Sequence, residues 1–347
     1  MQNAISNKTA LVTGATGLLG NNLVRALVAD GWRVRALVRD PAKAKRQFEG
    51  LEVQMVSGDM KSVVTFAAAL AGVEVVFHTA AYFRDSYKGG AHREELQRIN
   101  VTGTAELLSA CYKAGVRRLV HTSSIATLIG PAGGLINETM LRPEEAADDY
   151  YRSKIRADRV VLDFLEKHPD FFACLVLPGW MHGPGDMGPT SAGQTVLDFM
   201  LGRLPGVPPG GFSVVDARDV AGAMIAAAQR GTRGQRYLAA GRAIEMAELF
   251  GVLEKISGVK GPKRKVPLAL LYVVAALSEL KARVTGRPVL LSWATVRLID
   301  RERGRNRYDH RRSEQELGLT FRPLAETLVD EIAWFRDQGW LPAARRR

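Results

Sequence analysis

The sequence predicts an α/β chain built on a doubly wound parallel sheet. Three observations predict it. Short β-branched runs alternate with amphipathic helical runs, and the links are too long for hairpins, as right-handed crossovers require. A glycine triplet, Gly14, Gly17 and Gly20, stands between the first strand and the first helix. A Tyr-x-x-x-Lys pair, Tyr150 and Lys154, follows the fifth strand.

The elements follow in order. Ala10 to Thr13 is a buried strand, the glycines form a turn, and a helix runs through Asn21 to Ala29. Such a turn aims backbone N–H groups and a helix dipole at a phosphate. One glycine makes the turn, one admits the pyrophosphate, and one lets helix and strand pack closely. Gly14, Thr16, Gly17, Leu18 and Leu19 are thus expected to hold a dinucleotide. Arg33 to Val38 is the second strand, and Arg39 to Arg46 a turn opening into a basic helix. Val53 to Asp59 is the third strand, Val63 to Ala71 a short helix, and Val73 to Ala80 the fourth strand. A loop from Tyr82 to Ala91 leads to one long helix, Glu94 to Ala114, and Arg118 to Ser123 is the fifth strand. A helix from Asp149 to Lys167 and a strand from Phe171 to Leu177 extend the pattern.

From Pro178 the composition changes. The stretches 178–186 and 204–211 are rich in loop residues, Asp219 to Gln229 is helical, and Arg236 to Ala240 is one more strand. Residues 246–340 read as mostly helical with basic loops. The expected organisation is a Rossmann-type domain over 1–177, completed by about 212–240. A smaller, mostly helical substrate lobe covers 178–211 and 241–342, and a basic disordered tail spans 343–347.

Composition bounds the function. Lys and Arg number 48 against 36 Asp and Glu, a net charge of +12, which favours anionic partners. No zinc spacing or nucleic-acid module accompanies the arginine cluster between Arg297 and Arg312, so a solvated surface is preferred and no nucleic-acid partner is expected. Two cysteines, Cys111 and Cys174, in apolar surroundings argue against a disulfide framework and fit a reducing cytoplasm. The first strand begins almost at once, so no secretory signal is expected. The run Leu268 to Leu277 has ten apolar residues, where a bilayer span needs about 20. Lys263, Arg264, Lys265, Lys281 and Arg283 flank it, so contact with a membrane surface competes with burial or a partner, and burial or a partner is favoured.

Cofactor and chemistry follow from position. Nineteen residues after Gly20, where an acidic residue would bind the ribose of NAD, stands Arg39, backed by Lys43, Lys45 and Arg46. A guanidinium matches a 2′-phosphate, so NADP is favoured, with Asp40 leaving NAD as the alternative. Tyr150 and Lys154 share a helix face one turn apart. A nearby ammonium lowers a phenol pKa from about 10, fitting Tyr150 as general acid toward a carbonyl. Ser124 is placed to bond the same oxygen; Tyr151, three residues from Lys154, is the second choice.

Taken together, Gly14-x-x-Gly17-x-x-Gly20, Gly58-Asp59-Met60, His78 to Ala81, Asn100, Thr122 to Ser124, Tyr150-x-x-x-Lys154 and Pro178-Gly179 resemble an extended short-chain dehydrogenase/reductase, in the epimerase/dehydratase superfamily. The turn Val38 to Pro41 is similar to its dihydroflavonol 4-reductase-like branch. The resemblance implies that Asp59 and Met60 meet the adenine, and that Ala80, Ala81, Pro178 and Gly179 line the nicotinamide. It implies a catalytic group of Ser124, Tyr150, Lys154 and Asn100, with Lys154 also on the nicotinamide ribose, and a homodimer through the two long helices. Trp180 stands where nucleotide-sugar epimerases carry an asparagine, and the basic turn those enzymes use is missing at 211–215. Tyr82, Phe83, Arg84, Trp180, Met181 and His182 are the expected substrate pocket, with Phe212 beside them, suited to an apolar or aromatic carbonyl compound. His78 and His182 are expected to be structural or pocket-lining, not catalytic. The expected activity is NADP-dependent reduction of a ketone or aldehyde, without metal. Alternatives are a nucleotide-sugar or isoprenoid-linked sugar epimerase or dehydratase, and a non-catalytic NADP-binding scaffold.

Overall fold

Strand residues point alternately to opposite faces, and here both faces are apolar. Ala10 and Val12 enter one core with Phe77, Cys174 and Val176, whereas Leu11 enters a second with Val76, Ala173, Leu175 and Leu177. A strand buried on both sides belongs in a parallel sheet covered by helices on both faces. The computed structural model describes residues 8–83, 92–285 and 293–343.

The main sheet has seven parallel strands in the order β3-β2-β1-β4-β5-β6-β9. They are β1 (Thr9–Thr13), β2 (Arg33–Val38), β3 (Val53–Ser57), β4 (Val75–His78), β5 (Arg118–Thr122), β6 (Phe172–Pro178) and β9 (Arg236–Ala239). On one face lie α1 (Leu18–Ala29), joined to β3's side of the sheet by α2 (Pro41–Gln47), and α7 (Ala217–Arg230). The other carries α4 (Gly103–Lys113) and α5 (Asp149–Lys167). Order reverses between β1 and β4, the place where such sheets bind ligands beyond their strand ends.

A second sheet, which the sequence pattern does not predict, has the order β10-β8-β7. Its strands are β7 (Trp180–His182), β8 (Gly211–Asp216) and β10 (Arg242–Glu245), with β8 parallel to β7 and antiparallel to β10. A third core joins it to α6 (Ser191–Met200), α8 (Met246–Ser257) and α12 (Leu324–Asp337). α9 (Leu268–Thr285) and α10 (Trp293–Arg301) share a small core of Leu271, Ala275 and Val296, and α11 (Arg311–Leu317) lies against α7 and β9.

The expected helix over 94–114 is interrupted. α3 (Arg93–Glu95) passes into a π-helical stretch, Leu96–Thr102, before α4. The widened turn brackets Asn100, which points inward with 3% exposure. The expected short helix after β3 is two 3-10 turns, Val63–Thr65 and Ala67–Leu70. Cys111 and Cys174 are buried free thiols on opposite faces of the sheet, and burial pushes each up to about 12. No helix among the described residues is long and apolar enough to cross a membrane. Arg84 and residues 344–347 of the expected tail lie outside the described residues.

Candidate active site

The three glycines do three different things. Gly14 has φ +66°, and a Cβ there would stand 2.7 Å from the backbone nitrogen of Ala80, so the turn and the end of β4 touch only because it is glycine. A Cβ on Gly20 would overlap the carbonyl oxygen of Gly14. On Gly17 it would meet only the carbonyl oxygen of Gly14, at an ordinary contact distance of 3.4 Å. α1 starts there without a side-chain cap and without an acidic residue in its first turn. Its leading N–H groups therefore keep their affinity for an anion. Leu18 and Leu19 are buried behind them, and the Thr16 carbonyl accepts a bond from Gln47 Nε2 at 3.2 Å. That bond ties α2 to the glycine turn.

Arg39 is exposed at the end of β2, beside Asp40; the side chain of Lys43 lies outside the described residues. Asp59 follows β3, half-buried, and its Oδ1 accepts the Lys61 N–H at 2.8 Å. Met60 turns into the core against Gly103. Ala80 and Ala81 follow β4, and the Ala80 N–H donates to Thr13 Oγ1 at 3.2 Å. Pro178 ends β6 beside Ala239. A Cβ on Gly179 would overlap the carbonyl oxygens of Ala240 and Ser213. This cradle of bare backbone fits a dinucleotide.

Beyond the end of β5, Ser124 caps a short turn, its Oγ accepting the Ala126 N–H at 3.1 Å. Tyr150 packs on Ala126 and Leu96, with the Phe83 ring edge-on at 4.8 Å. Below it Lys154 is buried, and its Nζ donates to the Thr122 carbonyl at 2.6 Å. The structure therefore brings Ser124, Tyr150 and Lys154 to one strand end. Burial pulls the Lys154 ammonium down to about 8, opposed by the nearby Asp158 carboxylate.

Asn100, expected with that group, has its amide held by three hydrogen bonds. Its Oδ1 accepts the Tyr82 N–H at 2.7 Å, and its Nδ2 donates to the Tyr82 carbonyl and to Ser153 Oγ, each at 3.0 Å. With its amide so engaged, Asn100 is a clamp between the Tyr82 segment and α5. Ser153, which no sequence motif singles out, completes it by donating to the Tyr150 carbonyl at 2.7 Å.

Two pocket expectations change as well. β7 alternates, so Trp180 and Met181 face opposite ways. Trp180 packs on Phe212, ring centroids 4.6 Å apart and tilted by 38°, and its Nε1 donates to Ser191 Oγ at 3.2 Å. Met181, half-buried, packs against the α1 and α7 core. His182 is wholly buried behind Trp180, with Nδ1 3.0 Å from Glu331 Oε2, and is a support, not a wall. Tyr82 and Phe83 stand with Tyr150. A cavity of about 460 Å³ opens elsewhere, among Asn21, Arg25, Arg46, Met187, Trp334 and Trp340; none of its lining residues belongs to the Ser124, Tyr150 and Lys154 group.

A buried polar cluster lies beneath Lys154. His78 touches Thr13 Oγ1 at 2.8 Å and Thr104 Oγ1 at 2.9 Å, as expected of a structural histidine. Burial, aided by His121 and Lys154, holds it well below the usual histidine range. Burial also lowers His121, against the pull of Asp158. Asp158 accepts the Ser123 hydroxyl at 2.8 Å and lies 3.7 Å from Arg236 Nε. Its signal was legible: Tyr150, Lys154 and Asp158 recur at four residues along α5.

Fold and site together define a dinucleotide-dependent enzyme of the doubly wound α/β class. The chain belongs to the NAD dependent epimerase/dehydratase family, whose model matches residues 10–240, and is an NAD(P)-dependent oxidoreductase of the extended short-chain dehydrogenase/reductase type. It is 36% identical over 336 residues to sterol demethylase protein B of Methylococcus capsulatus, covering 96% of this chain and 100% of that one. A Synechocystis protein named as a putative dihydroflavonol 4-reductase is 33% identical, over 95% of both chains. The crystal structure of gox2253 superposes with a TM-score of 0.81 at 33% identity, over 97% of this chain and 100% of that one.

Proposed function

We propose that this chain is an NADP-dependent reductase that converts a ketone or aldehyde to an alcohol. The observation that carries it is the Lys154 ammonium, buried and fixed on the Thr122 carbonyl at 2.6 Å, one turn below Tyr150 and next to Ser124. Reduced NADP, when bound along Gly14 to Leu19, Asp59, Ala80, Ala81, Pro178 and Gly179, supplies the hydride that reaches the carbonyl carbon. Tyr150 gives its phenolic proton to the carbonyl oxygen, which Ser124 Oγ polarises. Lys154 stabilises the phenolate left on Tyr150 and holds the ribose. Arg39 takes the 2′-phosphate. Trp180 and Phe212 favour an apolar or aromatic carbonyl compound over a sugar diphosphate. A homodimer through α4 and α5 belongs to the same proposal.

The test is a panel of carbonyl compounds with NADPH and NADH, followed by loss of cofactor absorbance. Tyr150→Phe is expected to lower kcat by about 10²–10⁴-fold; near-normal reduction of the accepted compounds by this variant would sink the mechanism. Arg39→Ala is expected to raise the KM for NADPH by about 10- to 100-fold and leave that for NADH alone. An unchanged NADPH KM would remove Arg39 from the cofactor site. Substrate conversion with no net NADPH consumption would instead indicate an epimerase.

A further inference from the structure

The catalytic site leaves one prominent sequence feature unused, the apolar run of α9 and the basic residues near it. α9 is apolar on two sides. One side, Leu271 and Ala275, packs on Val266 and on Val296 of α10. The other side carries Leu270, Val273, Val274, Leu277 and Leu280, which recur at three- and four-residue spacing and stay exposed, Val273 at 56%, Leu277 at 63% and Leu280 at 61%. A helix apolar all round is ordinarily covered all round, and a contiguous exposed apolar strip marks an interaction surface. Trp293, 49% exposed at the start of α10 with its ring 4.6 Å from Tyr272, adds an amphipathic aromatic pair suited to a lipid headgroup layer.

The hairpin is fixed to the body, so the strip cannot simply fold inward. Lys265, just before α9, bridges Val207, and Ile299 of α10 stands against Gly210; within the hairpin the Trp293 N–H donates to Glu279 Oε1 at 2.8 Å. Charge selects the occupant. Arg264, Lys265, Arg297, Arg301 and Arg303 are exposed, with no carboxylate partner among the described residues, on a chain of net charge +12. A second copy would bring like charge to the contact, whereas an anionic lipid surface meets it with opposite charge. No described helix can cross a bilayer, so α9 would lie in the plane of the interface.

We propose that the α9–α10 hairpin docks this chain onto an anionic lipid surface, with Val273, Leu277, Leu280 and Trp293 inserted among the headgroups and the neighbouring arginines and lysines on the lipid charges. It stands independently of the reductase proposal, because vesicle binding is measured without turnover. The full chain is floated with vesicles of phosphatidylcholine alone or mixed in equal parts with phosphatidylglycerol, at low and high salt. Binding is expected only to the mixed vesicles, and to weaken with salt. The doubly substituted Leu277→Asp, Leu280→Asp chain is expected to lose at least about tenfold in partitioning. Arg264→Glu with Lys265→Glu should weaken binding to the mixed vesicles while leaving the apolar strip intact. Circular dichroism and melting temperature verify that both variants fold; both substitution pairs are at exposed positions. Absence of binding to the mixed vesicles, or equal binding by the folded Leu277→Asp, Leu280→Asp chain, overturns the proposal. So does a dimer that this variant converts to monomer without any vesicle binding, which would make the strip a contact between copies.

Discussion

The two walls of the proposed site, β5–α5 and β7–β8, are built differently. On the β5–α5 wall the polar groups are tied by hydrogen bonds: the Lys154 Nζ to the Thr122 carbonyl, the main-chain carbonyl of Tyr150 to Ser153 Oγ, which Asn100 holds in turn, and Asp158 to Ser123. On the β7–β8 wall Trp180 is held by a tilted ring contact with Phe212 and one indole hydrogen bond to Ser191. Hydrogen bonds fix angle as well as distance, and a buried polar group cannot leave its partner cheaply. Apolar ring contacts are less directional and tolerate replacement at smaller cost. The difference teaches that this chain separates a geometry suited to proton transfer from a surface suited to varying the substrate.

Three substitutions probe that contrast. The largest effect is expected from Lys154→Met, which removes the cation of the rigid wall and should lower kcat/KM by about 10²–10⁴-fold for every accepted substrate. A loss confined to a few substrates would mean that the wall is not a common proton-transfer device. Next comes Trp180→Ala. It should raise KM by about tenfold for bulky aromatic carbonyl compounds and leave kcat for small aldehydes nearly unchanged. A uniform fall in kcat would show that the second wall takes part in the chemistry as fully as the first.

The smallest effect concerns pH. Lys154 is cationic below about 8 and neutral above it, so kcat/KM should decline as pH rises through that value. Asp158 favours the cation, so Asp158→Asn should move this alkaline limb to lower pH. The groups that face Lys154 and Asp158 from the packed strands are His78 on β4, His121 on β5 and Arg236 on β9, and all three are retained in this variant. A limb that stays put would detach Asp158 from the lysine.

Much of the sheet was legible because alternating apolar runs and crossover lengths admit few arrangements. The bounds expected for α5, Asp149 to Lys167, are those observed, since Asp148 caps the Tyr151 N–H at 2.9 Å and begins the helix sharply. The spacing that pairs Tyr150 with Lys154 needed only that helix. Other features left no comparable trace. A π-helical stretch has the composition of an α-helix, so the widening around Asn100 could not be read. β7 is three residues long among prolines and glycines, too short to show its alternation. Without that strand, nothing in the sequence separates Met181 and His182 from the surroundings of Trp180. Asn100 was placed at the site by the family resemblance alone, and its partners, the backbone of Tyr82 and the Ser153 hydroxyl, are too distant in sequence to be read.

Gly179 has a consequence of another kind. β6 ends at Pro178 and β7 begins at Trp180, so one residue joins the seven-stranded sheet to the three-stranded sheet. On the adjacent strand, Ala240 and Gly241 make the same passage from β9 to β10. The substrate wall is thus coupled to the cofactor side through two joints with no slack. An insertion at either joint would throw both sheets out of register. For protein engineering this separates safe sites from forbidden ones: side chains at 180 and 212 can be rewritten, whereas chain length at 179 and 240–241 cannot.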